Sequence, residues 1–301
     1  MASLSVNFAG VDFKNPVTTA SGTFGSGMEY GEFVDLSRLG AVTTKGVADR
    51  PWEGNPTPRI AEVRGGMLNA IGLQNPGIDV FLERDLPFLK EQNARIIVNV
   101  CGHSEEEYLH VVERLNDAAV DLLEINISCP NVKEGGISFG TNPAGVEHIT
   151  KVIKEKSVHP VVMKLSPNVT SIADIAKAAE AGGADGISLI NTITGMKIDI
   201  EKRTFLLANR TGGMSGPAIH PVAVRMVYEA HQAVRIPIIG MGGVETYEDA
   251  VELLLAGATM VSVGTANFYN PYATTEIIDG IDAYLDRQGI GDVNDIIGSV
   301  G

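Results

Sequence analysis

The sequence predicts an α/β protein in which a parallel sheet closes into a barrel, and three observations carry that expectation. Eight short runs of β-branched and apolar residues recur along the 301 residues. Stretches with apolar residues three and four apart, the helical period, separate most of them. The length also suits one barrel of ~250 residues with insertions. Strand and helix in alternation imply crossover connections and so parallel strands, and eight repeats close the sheet on itself. The expected architecture is a single (β/α)8 TIM barrel over residues 1–301, with long insertions in the loops at its C-terminal face.

The strands are expected at 16–20, 41–45, 95–100, 121–127, 160–165, 186–190, 236–240 and 259–263. Helical periodicity fills 105–116, 143–156, 171–181, 221–233 and 246–256. Ser104 with Glu107, and Thr246 with Asp249, have the spacing of capping boxes and mark two helix starts. Two connections are too long for ordinary turns: 46–80 after the second strand and 191–220 after the sixth. Loops of that length in a compact fold are usually functional, and in a barrel both lie over the active-site face.

Composition narrows the partners. A net charge of −14 argues against nucleic acid, which demands a basic surface to displace counterions. The N-terminus has no basic region leading into an apolar core, and no apolar run reaches the ~20 residues of a spanning helix. A soluble, cytoplasmic protein with no membrane contact is expected. The two cysteines, Cys101 and Cys129, are too few for a disulfide framework and lack metal-ligand spacing, so both are expected to be free thiols.

The loops after the strands build a barrel's site. Here the strand ends carry Ser21-Gly22, Lys45-Gly46, Asn99, Asn126 with Cys129 and Asn131, Lys164, and Asn191-Thr192. Any one of these has an ordinary structural explanation, since a lysine at a strand end commonly snorkels to solvent. Two lysines and four amides converging on one mouth do not, because each buried polar group needs a partner. The seventh and eighth strands end in Gly242-Gly243 and Gly264-Thr265, turns whose backbone N–H groups suit a phosphate. Cys129, in Asn126-Ile127-Ser128-Cys129-Pro130-Asn131, is the best candidate for chemistry. Cys101 is expected to be structural.

With those residues in hand, the chain resembles the dihydroorotate dehydrogenases over its full length, specifically the catalytic chains of the NAD-linked, two-subunit bacterial type (type 1B). The marks are Met67-Leu68-Asn69-Ala70-Ile71-Gly72-Leu73-Gln74-Asn75-Pro76-Gly77, Asn126 to Asn131, Asn191-Thr192, and the Gly242-Gly243 and Gly264-Thr265 turns. The resemblance implies an FMN enzyme, one flavin per chain, that oxidises dihydroorotate to orotate in pyrimidine synthesis. It implies flavin contacts at Ser21, Lys45, Gly46, Asn99, Asn126, Lys164, Ile190, Gly216, Gly242, Gly243, Gly264 and Thr265. Substrate contacts are implied at Lys45, Asn69, Ala70, Ile71, Gly72, Leu73, Asn126, Asn131, Asn191 and Thr192. It further implies a partner subunit carrying FAD and a [2Fe–2S] cluster, around a homodimer core in a heterotetramer.

In that chemistry Cys129 takes a proton while the flavin accepts a hydride. A thiol near its ordinary value of ~8.5 makes activity rise with pH unless the lysines lower that value. Lys164 is expected to face the pyrimidine side of the flavin, where negative charge collects. The glycines at 65–66, 72 and 135–136 have hinge composition, which suits a lid. Trp52, Pro51 and Pro56 are expected to pack, and Glu105-Glu106-Glu107 to form a solvated face. Three other readings stay open: oxidation of an uncharged dihydropyrimidine, a flavin-free barrel acting on a phosphorylated substrate, and a non-catalytic binding subunit.

Overall fold

The computed structural model describes residues 2–128 and 140–301. Its central sheet holds β1 (Val17–Thr19), β2 (Val42–Thr43), β3 (Ile96–Val100), β4 (Leu122–Asn126), β5 (Val161–Lys164), β6 (Gly186–Leu189), β7 (Ile238–Met241) and β8 (Met260–Val263). Seven lie inside their expected ranges, and β7 runs one residue past its expected end at 240. Neighbours pair in parallel, and β8 pairs with β1. The ring closes between β1 and β2 through a Thr18–Ala41 bridge and a Gly40 N–H donating to the Val17 carbonyl at 2.8 Å. All eight strands are buried along their length, which is why they read as continuous apolar runs rather than alternating ones.

Helices cover the outside. They are α1 (78–91), α2 (Glu105–Leu115), α3 (Pro143–Lys156), α4 (Ile172–Ala181), α5 (His220–Ala233), α6 (Tyr247–Leu255) and α7 (Ala273–Gln288). The capping expectations hold: Ser104 accepts from the Glu107 N–H, and Thr246 with Asp249 forms a complete box.

Strict alternation fails once. Between β1 and β2 the chain makes only two 3-10 turns, Tyr30–Glu32 and Leu36–Arg38. The stretch leading into them holds Gly22, Gly25 and Gly27 at φ of 87°, 55° and 88°, which a helix cannot accommodate. The expected loop 46–80 also ends early, in α1. There Ile78, Phe81, Leu86 and Leu89 are buried, but Pro87 interrupts the apolar pattern and a π turn at Phe81–Asp85 precedes it.

At the opposite end of the barrel a hairpin, Val6–Phe8 with Val11–Phe13, buries Phe8 and Phe13. The Phe8 ring lies so close to Gly186, at the start of β6, that a Cβ there would meet it at 2.7 Å. The hairpin thus stoppers the face away from the strand ends.

The two long connections are structured, and they meet. Ile60–Val63 and Gly66–Asn69 form a hairpin from the first, while Ile193–Met196 and Thr211–Ser215 come from the second. Together they make one antiparallel sheet in the order Ile193–Met196, Thr211–Ser215, Gly66–Asn69, Ile60–Val63. Gly65 and Gly66, expected as a hinge, sit at the tight turn of that hairpin. Gly135 and Gly136 lie outside the described residues.

Candidate active site

A cavity of about 520 Å³ opens between the carboxyl ends of the barrel strands and this mouth sheet. Of the residues expected at the site, Ser21, Lys45, Gly46, Asn69 to Leu73, Asn126, Lys164, Ile190, Asn191, Thr192, Gly242, Gly243, Gly264 and Thr265 all line it. Ser21 and Thr265, 244 positions apart, therefore share one wall because successive strands deliver them to one end of the ring. Two expected contacts stand back from it. Asn99 is fully buried and spends its amide on Glu124; Gly216 packs on Gly66, with its carbonyl against Gly243. Cys129 and Asn131 lie outside the described residues, although Ser128, the residue bonded to Cys129, is on the wall.

The amides form a chain. Asn191 Nδ2 donates to Ser128 Oγ at 2.5 Å, Ser128 Oγ donates to Asn126 Oδ1 at 2.7 Å, and Asn126 Nδ2 donates to Asn99 Oδ1 at 3.5 Å. Asn99 Nδ2 then donates to Glu124 Oε1 at 2.6 Å. Each Asn is both donor and acceptor, so the chain fixes which way every amide faces the cavity. The Tyr108 hydroxyl donates to the Asn126 carbonyl at 2.8 Å and anchors the end of β4.

The two lysines differ in kind. Lys164 Nζ lies 3.3 Å from Glu124 Oε1, with both side chains no more than 5% exposed. Lys45 has no ion pair with a carboxylate among the described residues, and burial pulls its ammonium below the ordinary lysine value, a shift the nearby Cys101 partly opposes. Among the described residues, Lys45 is thus a cation on the cavity wall without a carboxylate partner. Cys101 itself is fully buried, as expected of a structural residue.

The paired turns are built for close approach. Gly242 and Gly243 have φ of 127° and 71°, and a Cβ on Gly243 would meet the Gly216 carbonyl at 2.7 Å and His220 Cβ at 2.8 Å. Only glycine fits there. Among the described residues, the N–H groups of Gly242, Gly243, Gly264 and Thr265 have no protein acceptor, and they edge the cavity beside the N-terminal ends of α5 and of the short helix Ala266–Tyr269. Unsatisfied N–H groups in that setting make an anion cradle. The Thr265 hydroxyl donates to Ser215 Oγ at 2.8 Å, tying the second turn to the mouth sheet.

Several wall residues lack a sequence signal of their own. Asn168 bridges the sixth-strand loop, donating to the Thr192 carbonyl at 3.0 Å and accepting from the Thr194 N–H at 3.0 Å. Ser128 is hidden in a run where its neighbour Cys129 draws attention. Glu124 had a detectable sign: a carboxylate in the middle of a strand buried on both faces. Elsewhere, Trp52 packs against His103 with 3.9 Å between ring centroids and the planes tilted by 35°. Glu105 and Glu107 are not a plain solvated face, for they pair with His148 and with Arg50.

Comparison with known proteins adds to this geometry. The family model described as dihydroorotate dehydrogenase matches residues 3–285. The protein of Lachnoclostridium phytofermentans named dihydroorotate dehydrogenase B (NAD(+)), catalytic subunit, is 66% identical over 296 residues, covering 98% of this chain and 99% of that one. Proteins of the same name from Alkaliphilus metalliredigens and Geotalea uraniireducens are 63% and 54% identical, each over 99% of this chain and 98% of their own length.

Proposed function

The chain belongs to the dihydroorotate dehydrogenase family, and from this we propose that it oxidises dihydroorotate to orotate with FMN and passes the electrons through a partner subunit to NAD. The observation that carries the proposal is the cavity itself, whose wall carries an anion cradle and a half-buried cation with amides. Those two features suit a phosphate-bearing cofactor and a carboxylated pyrimidine. The fit to FMN is chemical: four N–H groups without acceptors among the described residues suit a phosphate, and Lys164 offers an ammonium to a ring that gains negative charge.

When bound, the flavin supplies the acceptor for the hydride that leaves the substrate. The remaining work falls to the chain's residues. Lys45 draws in the substrate carboxylate, and a ligand anion restores the partner that the lysine lacks. Asn69, Asn126, Asn191 and Thr192 match a ring edge of alternating donors and acceptors, so an analogue lacking one group leaves an amide unpaired at a cost of about 1–3 kcal/mol. The mouth sheet excludes water from the reacting face. Cys129, bonded to the wall residue Ser128, is the base that removes the proton, and Asn131 is a further substrate contact. The partner subunit carries FAD and a [2Fe–2S] cluster, around a homodimer of this chain in a cytoplasmic heterotetramer.

The test is anaerobic mixing of the purified yellow protein with dihydroorotate. Wild type is expected to lose its flavin colour, and Cys129→Ala to do so about 10²- to 10⁴-fold more slowly, the range of a general base. A colourless protein that takes up no FMN, or an undiminished rate in Cys129→Ala, refutes the scheme.

A further inference from the structure

One charged side chain below the cavity has no part in the scheme so far. Glu124, in the middle of β4, is 1% exposed. Donors from three neighbouring strands converge on its carboxylate: Asn99 Nδ2 at 2.6 Å from β3, Lys164 Nζ at 3.3 Å from β5, and Ser188 Oγ at 2.7 Å from β6. The register explains the convergence, because Asn99 lies beside Glu124 across β3 and β4, and Ser188 lies beside Lys164 across β5 and β6. A carboxylate at this depth needs compensation, and the compensating cation is one that also lines the cavity.

We propose that Glu124 is a positioning residue for Lys164, holding its ammonium at the cavity wall and offsetting part of its charge, so that the pair rather than the lysine alone sets the reduction potential of the flavin. The inference rests on the flavin reading of the cavity. An uncompensated ammonium beside a ring that gains negative charge favours the reduced ring; a carboxylate 3.3 Å from that ammonium opposes the effect in a medium where charges are weakly screened. Glu124 also closes the amide chain from Asn191 through Ser128, Asn126 and Asn99, which makes the orientation of the substrate amides and the position of Lys164 parts of one network. A purely structural glutamate would alter stability and leave the potential alone.

The experiment measures the midpoint potential of bound FMN by anaerobic titration at one pH in wild type, Glu124→Gln and Glu124→Asp. Glutamine keeps the shape and an acceptor and removes the charge. The potential is expected to rise, with at least a tenfold shift in the oxidised-to-reduced equilibrium, about 30 mV for a two-electron couple. Aspartate withdraws the charge by one methylene and is expected to move the potential the same way by less. In a Lys164→Met background the glutamine shift is expected to fall below half its size, as coupled residues require. An unmoved potential in Glu124→Gln, or an equal shift with and without Lys164, overturns the inference. Should Glu124→Gln fail to fold, Glu124→Asp decides, and a potential at or below wild type overturns it. Wild-type protein that takes up no FMN overturns the flavin reading and this inference with it, whereas loaded protein with immobile variant potentials overturns the inference alone.

Discussion

Lys45 and Lys164 stand on one cavity wall at the ends of β2 and β5, yet only Lys164 has a carboxylate partner among the described residues. Burial depresses the Lys45 ammonium, so the folded chain holds that proton less tightly than the unfolded chain does. The unfolded state binds more protons between the depressed folded value and the ordinary 10.5, and stability from this group therefore rises with pH across that window. Below it the full cost is present. Replacing Lys45 with Met is expected to raise the melting temperature of the ligand-free protein at neutral pH, with the gain shrinking as pH approaches 10.5. The same change removes a charge-assisted contact of about 1.5–3 kcal/mol, so orotate binding is expected to weaken roughly 10- to 100-fold. Calorimetry with orotate and melting curves at two pH values check both parts; a variant that melts lower and binds equally well contradicts them. Both lysines are legible in the sequence because a strand end is where a barrel puts its chemistry. Glu124 is legible only as a charge inside an apolar strand; its role is not, because that depends on register across three strands, which no single run of residues reveals.

The mouth sheet is where local sequence and long-range pairing meet. Gly213 pairs with Thr194 on one side and Asn69 on the other, and the Asn69 amide donates to its carbonyl at 3.3 Å. A Cβ at that position would stand 2.0 Å from Thr192 Oγ1. Gly213→Ala must push Thr192 and the strand carrying Asn69 apart, displacing two residues of the proposed substrate site while leaving the barrel strands untouched. A loss of roughly 10- to 100-fold in kcat/KM for dihydroorotate is expected, the scale of an ångström misplacement, with FMN still bound. Unchanged kinetics with an artificial acceptor would refute this role for the sheet. The eight barrel strands are legible because apolar, β-branched runs are a local property. The mouth sheet is not, since its strands are short, rich in glycine, and paired across about 140 residues of chain. For the same reason 46–80 and 191–220 read as loops, and α1 is masked by Pro87.

Across the whole molecule, the ring of strands gathers the proposed flavin site within one closed fold, and the route of its electrons is a question for the chain as a whole. A [2Fe–2S] cluster takes four thiolates or their histidine equivalents, and this chain has two cysteines, of which Cys101 is buried under Gly46 and Cys129 is assigned to proton removal. The proposed relay to NAD is therefore expected from another polypeptide, in keeping with the name "catalytic subunit" borne by the relatives. The isolated chain is expected to reduce an artificial dye with dihydroorotate and to form no NADH from NAD. Adding the electron-transfer subunit is expected to switch NADH formation on, with orotate made in equal amount. The comparison is quantitative: following NADH absorbance and dye bleaching on the same flavin-loaded preparation, NADH formation by the chain alone at the dye-linked rate would mean that NAD meets the flavin directly, and the partner's FAD and cluster would have no electrons to carry.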